Sequence, residues 1–363
     1  MTFKKPVIQN GKPRKQTIIE EIEELDGKVR IVGMWWTTGW YNNMDKLLDA
    51  LDWQWMEEAH GFGDLPIKHT SKNNTGFVNA IYQRLINGSK DNKLSIEKLA
   101  REFAITDRTQ VKELTELAIV LHARELAHQD ETVKERFDNI VDLYNSQVNL
   151  SHRTSQSILL QQYSTPAPIA YLAGVFCELG KLEQNGGYAF EPSAGNGLLT
   201  IAGDPGRIYV NEIGSTRNKN LVVQNYFSVT RQDASQPFKE YYRKFDAVLT
   251  NPPFGKGETK KLWDTFPIKP LEHIMALIAL DTMKDNGKAA LIIGGHTAWD
   301  AQGRVQAGKN RIFLNYLYSR YNVVDIINID GKKLYSRQGT SFDVRLILIN
   351  GRKPTPTGAA RSE

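Results

Sequence analysis

The stretch Phe190-Glu191-Pro192-Ser193-Ala194-Gly195-Asn196-Gly197 decides the fold, because it follows a short apolar run and leads into a helical segment. Its two glycines would let the backbone approach a ligand closely at a turn between strand and helix. The spacing lacks the Gly-x-Gly-x-x-Gly pattern of a dinucleotide site, and a plain strand-to-helix turn is the alternative. The stretch predicts the first strand and the first ligand loop of an α/β domain.

Short apolar runs alternate with helical segments around this stretch and predict the strands of one sheet. Crossover-length segments separate most of them, which indicates a mostly parallel, Rossmann-like sheet of seven strands with helices on both faces. The last two are joined by a short loop and should pair antiparallel as a hairpin. The predicted strands are Tyr188–Glu191, Arg207–Glu212, Phe245–Thr250, Ala289–Gly294, Val323–Ile329 and Asp343–Asn350, with a weaker one near Ser228–Gln232.

Composition divides the chain into four parts. The first is expected to be a basic, mobile arm that ends in a short acidic amphipathic helix at Thr17–Leu25. A tryptophan-rich and mainly helical region follows, and then the α/β domain and a tail. The boundaries are 1–28 for the arm and short helix, 29–150 for the N-terminal region, 151–351 for the α/β domain and 352–363 for the tail.

The N-terminal region combines aromatic and helical patterns. Five of the seven tryptophans lie between Trp35 and Trp55, which favours a packed subdomain over a surface that stacks on bases. Further on, helical periodicity predicts a packing module with a long helix from about Asp107 to His128. A helix-turn-helix at Leu94–Thr109 is the less favoured interpretation, because the following helix is long for a recognition helix.

Composition and charge limit the class of protein. The chain has 363 residues, 40% of them hydrophobic and 24% charged, as in globular proteins. Cys177 is the single cysteine and cannot form an internal disulfide. No run of about 18 apolar residues occurs, so we expect a soluble cytoplasmic protein without a membrane segment. From Gly255 onwards 17 lysines and arginines stand against 10 aspartates and glutamates, which suits a polyanionic partner such as DNA or a merely solvated surface.

Two carboxylates follow the second and third predicted strands. Glu212, next to Ile213, lies 21 residues after Glu191, where a carboxylate can accept both hydroxyls of a ribose. Asp233, next to Ala234, could accept a hydrogen bond from an adenine amino group at the same edge of the sheet. Taken singly, Glu212 is explained equally well as a surface acid at the end of a strand, and Asp233 is better explained as a turn residue.

The fourth predicted strand runs into Asn251-Pro252-Pro253-Phe254. The two prolines fix the backbone and remove two N–H donors, so that carbonyl oxygens are left to accept hydrogen bonds. Asn251 adds an amide oxygen and Phe254 an aromatic face, which together suit a planar group that bears an NH₂. Upstream, Tyr163-Ser164-Thr165-Pro166 precedes an apolar helix, where Thr165 is predicted to be the N-cap and Gly180 to end the helix.

Taken together, these residues resemble the N6-adenine DNA methyltransferases that use S-adenosylmethionine, over about Ser151 to Asn350. The order of the segments is similar to that in the modification subunits of type I restriction–modification systems. The resemblance implies a class I methyltransferase fold and no metal. It also assigns cofactor-binding roles to Tyr163, Thr165, residues 191–197, Glu212, Ile213, Asp233, Ala234 and Asn251, and a catalytic role to Asn251, Pro252, Pro253 and Phe254.

The activity implied is methyl transfer to the N6 amino group of adenine in a base flipped out of the duplex. Asn-Pro-Pro-aromatic segments also occur in enzymes that methylate an RNA base or a protein glutamine, and these substrates stay open. A non-catalytic DNA-binding subunit on the same fold is the remaining alternative. Basic, glycine-containing segments are candidates for phosphate contact, as flexible loops, through Lys256, Lys260, Lys261, Arg304, Lys309 and Arg311.

Two features depart from the family pattern. The family's glycine motif usually begins with Asp, where this chain has Glu191. Relatives in the subgroup carry a target-recognition domain after the catalytic fold, whereas about a dozen residues follow the last predicted strand here. Sequence choice is then absent, built into the N-terminal region or inserted loops, or supplied by a separate specificity subunit.

Overall fold

A computed structural model describes residues 72–148, 164–253, 256–295, 308–335 and 342–360, together with short strands in the N-terminal region. For those N-terminal strands, and for residues 72, 256–260 and 309, the backbone alone is described. Tyr163, Phe254 and Arg304 lie outside the described residues.

The described N-terminal segments are strands. β1 (Val7–Gln9) pairs antiparallel with β2 (Lys12–Arg14) and with β6 (Trp53–Trp55). β4 (Lys28–Gly33) pairs antiparallel with β3 (Ile19–Leu25) and with β5 (Trp36–Thr37).

The short helix predicted at Thr17–Leu25 is therefore wrong, and the arm predicted to be mobile contains a strand pair. The sequence contained the signal for the strand: Asp26-Gly27 separates two runs that carry β-branched residues, a combination typical of a hairpin. The backbone of β3 pairs with β4, although the spacing of its isoleucines is also compatible with a helix.

A helical module follows. It consists of α1 (Lys72–Ile86), α2 (Lys93–Glu102), α3 (Arg108–Ala127) and α4 (Val133–Ser146). Side-chain oxygens of Asn92, Asp107 and Thr132 cap the N-termini of α2, α3 and α4. The predicted packing module and its long helix are confirmed. Polar and charged residues of α3 are buried as well as its apolar ones. None of the helices in the described part of the chain is long and apolar enough to cross a membrane.

The α/β domain contains the predicted seven-stranded sheet, with the order β14-β15-β13-β10-β7-β8-β9. Its strands pair in parallel from β13 through β10, β7 and β8 to β9. The C-terminal strand β15 pairs antiparallel with both β13 and β14, as predicted for the last hairpin. The strands are β7 (Ala189–Glu191), β8 (Ile208–Asn211), β9 (Ser228–Thr230), β10 (Phe245–Thr250), β13 (Met283–Gly294), β14 (Tyr321–Ile329) and β15 (Val344–Arg352).

Helices cover both faces of this sheet. One apolar core joins the sheet to α5 (Ala167–Phe176) and to the ends of α3 and α4, and the other joins it to α7 (Leu271–Asp281) and α8 (Lys309–Arg320). Two further helices in the described residues are α6 (Ser215–Val222), after β8, and α9 (Gly331–Leu334), after β14. Because β10 is buried between the two cores, its sequence is almost continuously apolar, which is why its predicted bounds are confirmed.

Two other expectations differ from the structure. The segment from Lys256 to Lys261 is not a flexible loop, since β11 (Lys256–Trp263) and β12 (Phe266–Pro270) form an antiparallel hairpin. The C-terminal segment predicted as a tail lies against α8, where the Ala360 N–H donates to Asn315 Oδ1.

Candidate active site

A pocket lies at the carboxyl ends of β7, β8 and β10, where open parallel sheets bind their ligands. Its cavity volume is about 40 Å³, or about 460 Å³ when the space open to solvent between its walls is also counted. The segments quoted from the sequence as 190–197, 163–166 and 251–254 all contribute to its wall. The lining residues are Glu116, Ser164, Thr165, Glu191, Ser193, Ala194, Gly195, Asn196, Leu198, Leu199, Glu212, Arg217, Asn251 and Pro253.

The glycine-containing loop takes its shape from two residues in the left-handed region of backbone conformation. Gly195 has φ +56° and Gly197 has φ +98°. A Cβ atom on Gly197 would overlap the hydroxyl of Tyr226, whereas one on Gly195 would meet nothing within 4 Å. Gly197 is therefore required by its packing, and Gly195 leaves open space on the side of the backbone where a side chain would stand.

Glu212 holds this loop in place. Its carboxylate accepts the Gly195 N–H at 2.9 Å through one oxygen and the Gly214 N–H at 2.7 Å through the other. Burial raises the pKa of Glu212, while Arg217 and the two amides oppose that shift. Since an ionised carboxylate has about four lone-pair sites, these two bonds leave acceptor capacity for ligand hydroxyls.

Glu191 is the other acid on this edge. Its side chain is 2% exposed, and among the described residues no donor reaches its Oε2 atom. Burial, and then the charge of Glu212, raise the pKa of Glu191 well above its usual value. A cation placed beside the two acids would favour their ionised forms.

A buried polar network joins the glycine loop to the helical module. Glu113 on α3 accepts hydrogen bonds from Arg217 Nε at 2.8 Å and Nη2 at 3.2 Å, and from Asn196 Nδ2 at 2.7 Å. Asn220 Nδ2 donates to the backbone oxygen of Glu113 and to Asn196 Oδ1. Burial raises the pKa of Glu113, but the Arg217 guanidinium outweighs it and brings that pKa below its usual value.

The sequence did not reveal this network. Glu113 and Glu116 lie on a helix for which the sequence pattern predicted only apolar packing. Because charged residues are rarely fully buried, that pattern did not indicate a buried role for either glutamate. The buried carboxylate of Glu113 depends on contacts with Asn196 and Arg217, about 80 and 100 positions away along the chain. A carboxylate at each of two positions three residues apart is also the pattern of a solvated helix face.

Asn251 is held by the upstream segment. Its Nδ2 atom donates to Thr165 Oγ1 at 2.9 Å. Thr165 does not cap α5, contrary to the prediction, because Pro166 is the N-cap residue and no side chain caps this end. Gly180 does not end the helix either, since α5 stops at Phe176. The hydrogen bond from Asn251 to Thr165 fixes the orientation of the Asn251 amide.

Other contacts place the end of β10 beside the glycine loop. Ser193 Oγ lies 3.4 Å from Thr250 Oγ1, directly before Asn251. Pro252 is buried and Pro253 half-buried at the pocket wall. The strand that leads to the Asn-Pro-Pro segment and the strand that leads to the glycine loop therefore open into one crevice.

Some predicted cofactor residues lie away from this wall. Asp233 is exposed and accepts a hydrogen bond from the Ser235 N–H, as a turn residue does. Ile213 is 47% exposed, and Ala234 is buried in the apolar core. Pro192 contributes its carbonyl oxygen to Asn211 Nδ2 beneath the loop. Their contacts with a cofactor stay predictions.

The predicted phosphate contacts are described in part. Lys261 Nζ donates to the carbonyl oxygen of Ser235 at 2.8 Å, which ties the β11–β12 hairpin to the segment after β9. Arg311 is exposed on α8. For Lys256, Lys260 and Lys309 only the backbone is described, and Arg304 lies outside the described residues. Contact with nucleic acid stays a prediction for all six positions.

Comparisons with known proteins concern the fold alone. No family model and no curated protein matches the sequence. Among solved structures, the type IIG restriction endonuclease BpuSI is 15% identical, with 78% of this chain and 34% of that chain covered and a TM-score of 0.42. The chain thus spans about a third of the length of that relative.

Two further solved structures are similar at the same level. A putative class I S-adenosylmethionine-dependent methyltransferase from Listeria monocytogenes is 12% identical, with coverage of 79% of this chain and 90% of that chain and a TM-score of 0.43. The M protein of the type I restriction enzyme EcoKI is 14% identical, with 79% and 69% covered and a TM-score of 0.40.

Proposed function

We propose that this protein transfers a methyl group from S-adenosylmethionine to the N6 amino group of adenine in DNA. One observation carries the proposal: Asn251 lies in the same pocket as Glu191 and the glycine loop, and Thr165 holds its amide. In such a pocket the Asn251 amide oxygen could accept a hydrogen bond from a substrate amino group. The glycine loop, whose backbone a ligand can approach closely, could bind a nucleoside cofactor beside it.

The chemistry of the pocket fits the cofactor. S-adenosylmethionine supplies a methyl group on a positively charged sulfur, and that charge suits a wall with three buried glutamates. Glu212 has acceptor capacity for ribose hydroxyls, and Glu191 has a carboxylate oxygen that no described donor reaches. Both acids are more easily ionised when a cationic ligand offsets their burial.

The chain's own residues would prepare the substrate amino group. An exocyclic amine on adenine is a poor nucleophile, because its lone pair is delocalised into the ring. Asn251 Oδ1 and the carbonyl oxygen of Pro252 would accept its two hydrogens, which favours a pyramidal nitrogen whose lone pair points at the methyl group. The two prolines fix the carbonyl, and the rest of the rate acceleration comes from positioning.

A base inside a duplex cannot reach such a crevice, so the proposal includes base flipping. Phe254 would then replace part of the lost stacking, worth about 1–3 kcal/mol per base. The lysines of β11, Arg304 and the basic residues in the first turn of α8 would contact phosphates.

Methyl transfer is tested with radiolabelled cofactor and DNA, RNA or a protein extract as acceptor, followed by nucleoside and amino-acid analysis. We expect label in N6-methyladenine from DNA. Label confined to cytosine, to RNA or to glutamine would contradict the proposal and assign a different acceptor.

Asn251→Ala should abolish turnover and leave the cofactor dissociation constant nearly unchanged, as measured by calorimetry. Asn87→Ala, at an exposed position after α1, is the matched control and should retain full activity. If Asn251→Ala abolished cofactor binding instead, the amide would belong to the cofactor site and its catalytic role would be wrong.

A further inference from the structure

We propose that Glu116, on the helical module, binds the α-ammonium group at the amino-acid end of the cofactor. The inference rests on the proposed function and adds a residue from outside the α/β domain to its site. None of the sequence motifs includes this position.

The position of Glu116 supports a ligand contact. It lies on α3 three residues after Glu113, is 2% exposed, and lines the pocket together with Ser164 and Asn251. The Ser164 side chain hydrogen-bonds its carboxylate. Among the described residues no donor reaches the buried Oε2 atom, so this carboxylate lacks the set of partners that a purely structural buried acid requires.

The neighbouring guanidinium forms its hydrogen bonds with Glu113, to which Arg217 Nε and Nη2 both donate. Burial and then the charge of Glu113 raise the pKa of Glu116, and the charge of Arg217 opposes that shift. A buried carboxylate without a hydrogen-bonded counter-ion is costly, and the cost is removed when a ligand brings a cation. An ammonium group, with three donors, can satisfy Oε2 directly.

The shape of the cofactor indicates which part of the pocket each of its ends would occupy. If Glu212 accepts the ribose hydroxyls and the methyl group faces Asn251, the amino-acid end must lie in the remaining part of the pocket. Ser164, Thr165 and Glu116 also line the pocket, and the proposal assigns this end of the cofactor to them. An organic cation fits better than a metal ion, because no group of three or more metal-ligating side chains converges among the described residues.

The decisive experiment compares ligands that differ in the ammonium group. Calorimetry on the full chain would use S-adenosylmethionine, S-adenosylhomocysteine, its analogue without the amino group, and 5′-methylthioadenosine. Glu116→Gln keeps the shape and a hydrogen-bonding oxygen but removes the charge. We expect Glu116→Gln to raise the dissociation constants of the first two ligands about tenfold or more, equivalent to about 1.4 kcal/mol. The dissociation constants of the last two should change by no more than about twofold.

Two further variants separate binding from folding. Glu125→Gln lies on the same helix, where its carboxylate meets Tyr82 and His122, and should change none of the four affinities. Glu116→Asp keeps the charge one methylene further back and should retain the preference for ligands with an ammonium group, although more weakly. The melting temperature of each variant is measured as well, so that a loss of affinity can be distinguished from a loss of folding.

Each outcome is informative. If Glu116→Gln weakens all four ligands equally, or none, Glu116 does not contact the ammonium group and the inference is wrong. If the wild type binds all four ligands but methylates no DNA, the acceptor in the proposed function is wrong while the Glu116 contact is still measured. If the wild type binds none of them, both proposals are overturned.

Discussion

Thr165 Oγ1 accepts a hydrogen bond from Asn251 Nδ2 at 2.9 Å, although the two residues are 86 positions apart in the chain. Thr165 lies just before α5, and Asn251 follows the last residue of β10. The bond joins the segment before the first strand of the sheet to the Asn-Pro-Pro segment. Thr165 is therefore a positioning residue for the amide that is proposed to grip the substrate.

Replacing Thr165 by valine should loosen this amide without opening a large cavity. Because a typical intramolecular hydrogen bond contributes about 0.5–1.5 kcal/mol, we expect kcat to fall by about three- to tenfold. The cofactor dissociation constant should change less than kcat. Steady-state kinetics and calorimetry on Thr165→Val measure the two effects separately.

Thr165→Ser keeps the hydroxyl and is the matched control, which should retain most of the activity. If serine and valine lowered kcat equally, packing of the threonine methyl group rather than the hydrogen bond would position the site.

Glu191→Gln should make the stability of the ligand-free protein less dependent on pH. The raised pKa of Glu191 means that the folded protein keeps its proton above the usual value of 4.5, where the unfolded chain has lost it. Stability is thus fully present below that value and falls as the pH rises through the folded-state pKa, by about 1.4 kcal/mol for each unit of elevation.

The measurement is chemical denaturation at a series of pH values that starts below the usual glutamate pKa of 4.5 and extends upwards from it. Glu191→Gln should be more stable than the wild type at the upper end and should bind S-adenosylmethionine more weakly. Glu183→Gln, at an exposed position, is the control and should follow the wild type. Equal slopes for wild type and Glu191→Gln would show that Glu191 does not carry the effect.

Gly197→Ala should be among the most destabilising single-methyl changes in the loop. The residue has φ +98°, and the new methyl group would collide with the Tyr226 hydroxyl, which is itself held by Arg124 and Thr200. Left-handed strain and overpacking together should cost about 2–4 kcal/mol of unfolding free energy.

Gly186→Ala is the matched control, because Gly186 also has a positive φ, +63°, but its new methyl group would meet nothing within 4 Å. It should cost about 1–2 kcal/mol from backbone strain alone. Equal losses in the two variants would mean that the loop moves to accommodate the methyl group at Gly197.

Arg217→Met should destabilise the protein by about 3–5 kcal/mol, since it leaves the buried carboxylate of Glu113 without its counter-ion. The exposed pair of Lys134 and Asp138 provides the contrast: Lys134→Met should give no measurable change. Urea unfolding measures both. A loss below about 1 kcal/mol for Arg217→Met would indicate that Glu113 takes up a proton or water instead.

The sequence predicted the central sheet well, for a physical reason. Parallel strands buried on both faces are continuous apolar runs, and β10 has the bounds expected from Phe245–Thr250. The turns at the pocket wall were also visible, since glycine adopts backbone conformations that other residues avoid and proline fixes φ. The juxtaposition of Gly195 and Asn251 in one pocket follows from the parallel order of β7 and β10.

Features that depend on distant contacts could not be read from the sequence. Thr165 before Pro166 has the local pattern of a cap, yet its hydroxyl is used by Asn251. Ile19–Leu25 has acidic residues and isoleucines at helical spacing, yet it pairs with β4. Glu113 and Glu116 look like solvated positions of a helix, and only the fold brings Arg217 and Ser164 against them.

The hydrogen bond from Asn196 to Glu113 bears on where this chain can be divided. A fragment that began near residue 151 would retain every strand of the seven-stranded sheet, yet it would lack Glu113, whose carboxylate anchors the glycine loop and pairs with the buried guanidinium of Arg217. The smallest unit that retains the pocket wall therefore begins before α3, and the boundary that composition drew at residue 151 crosses the site itself.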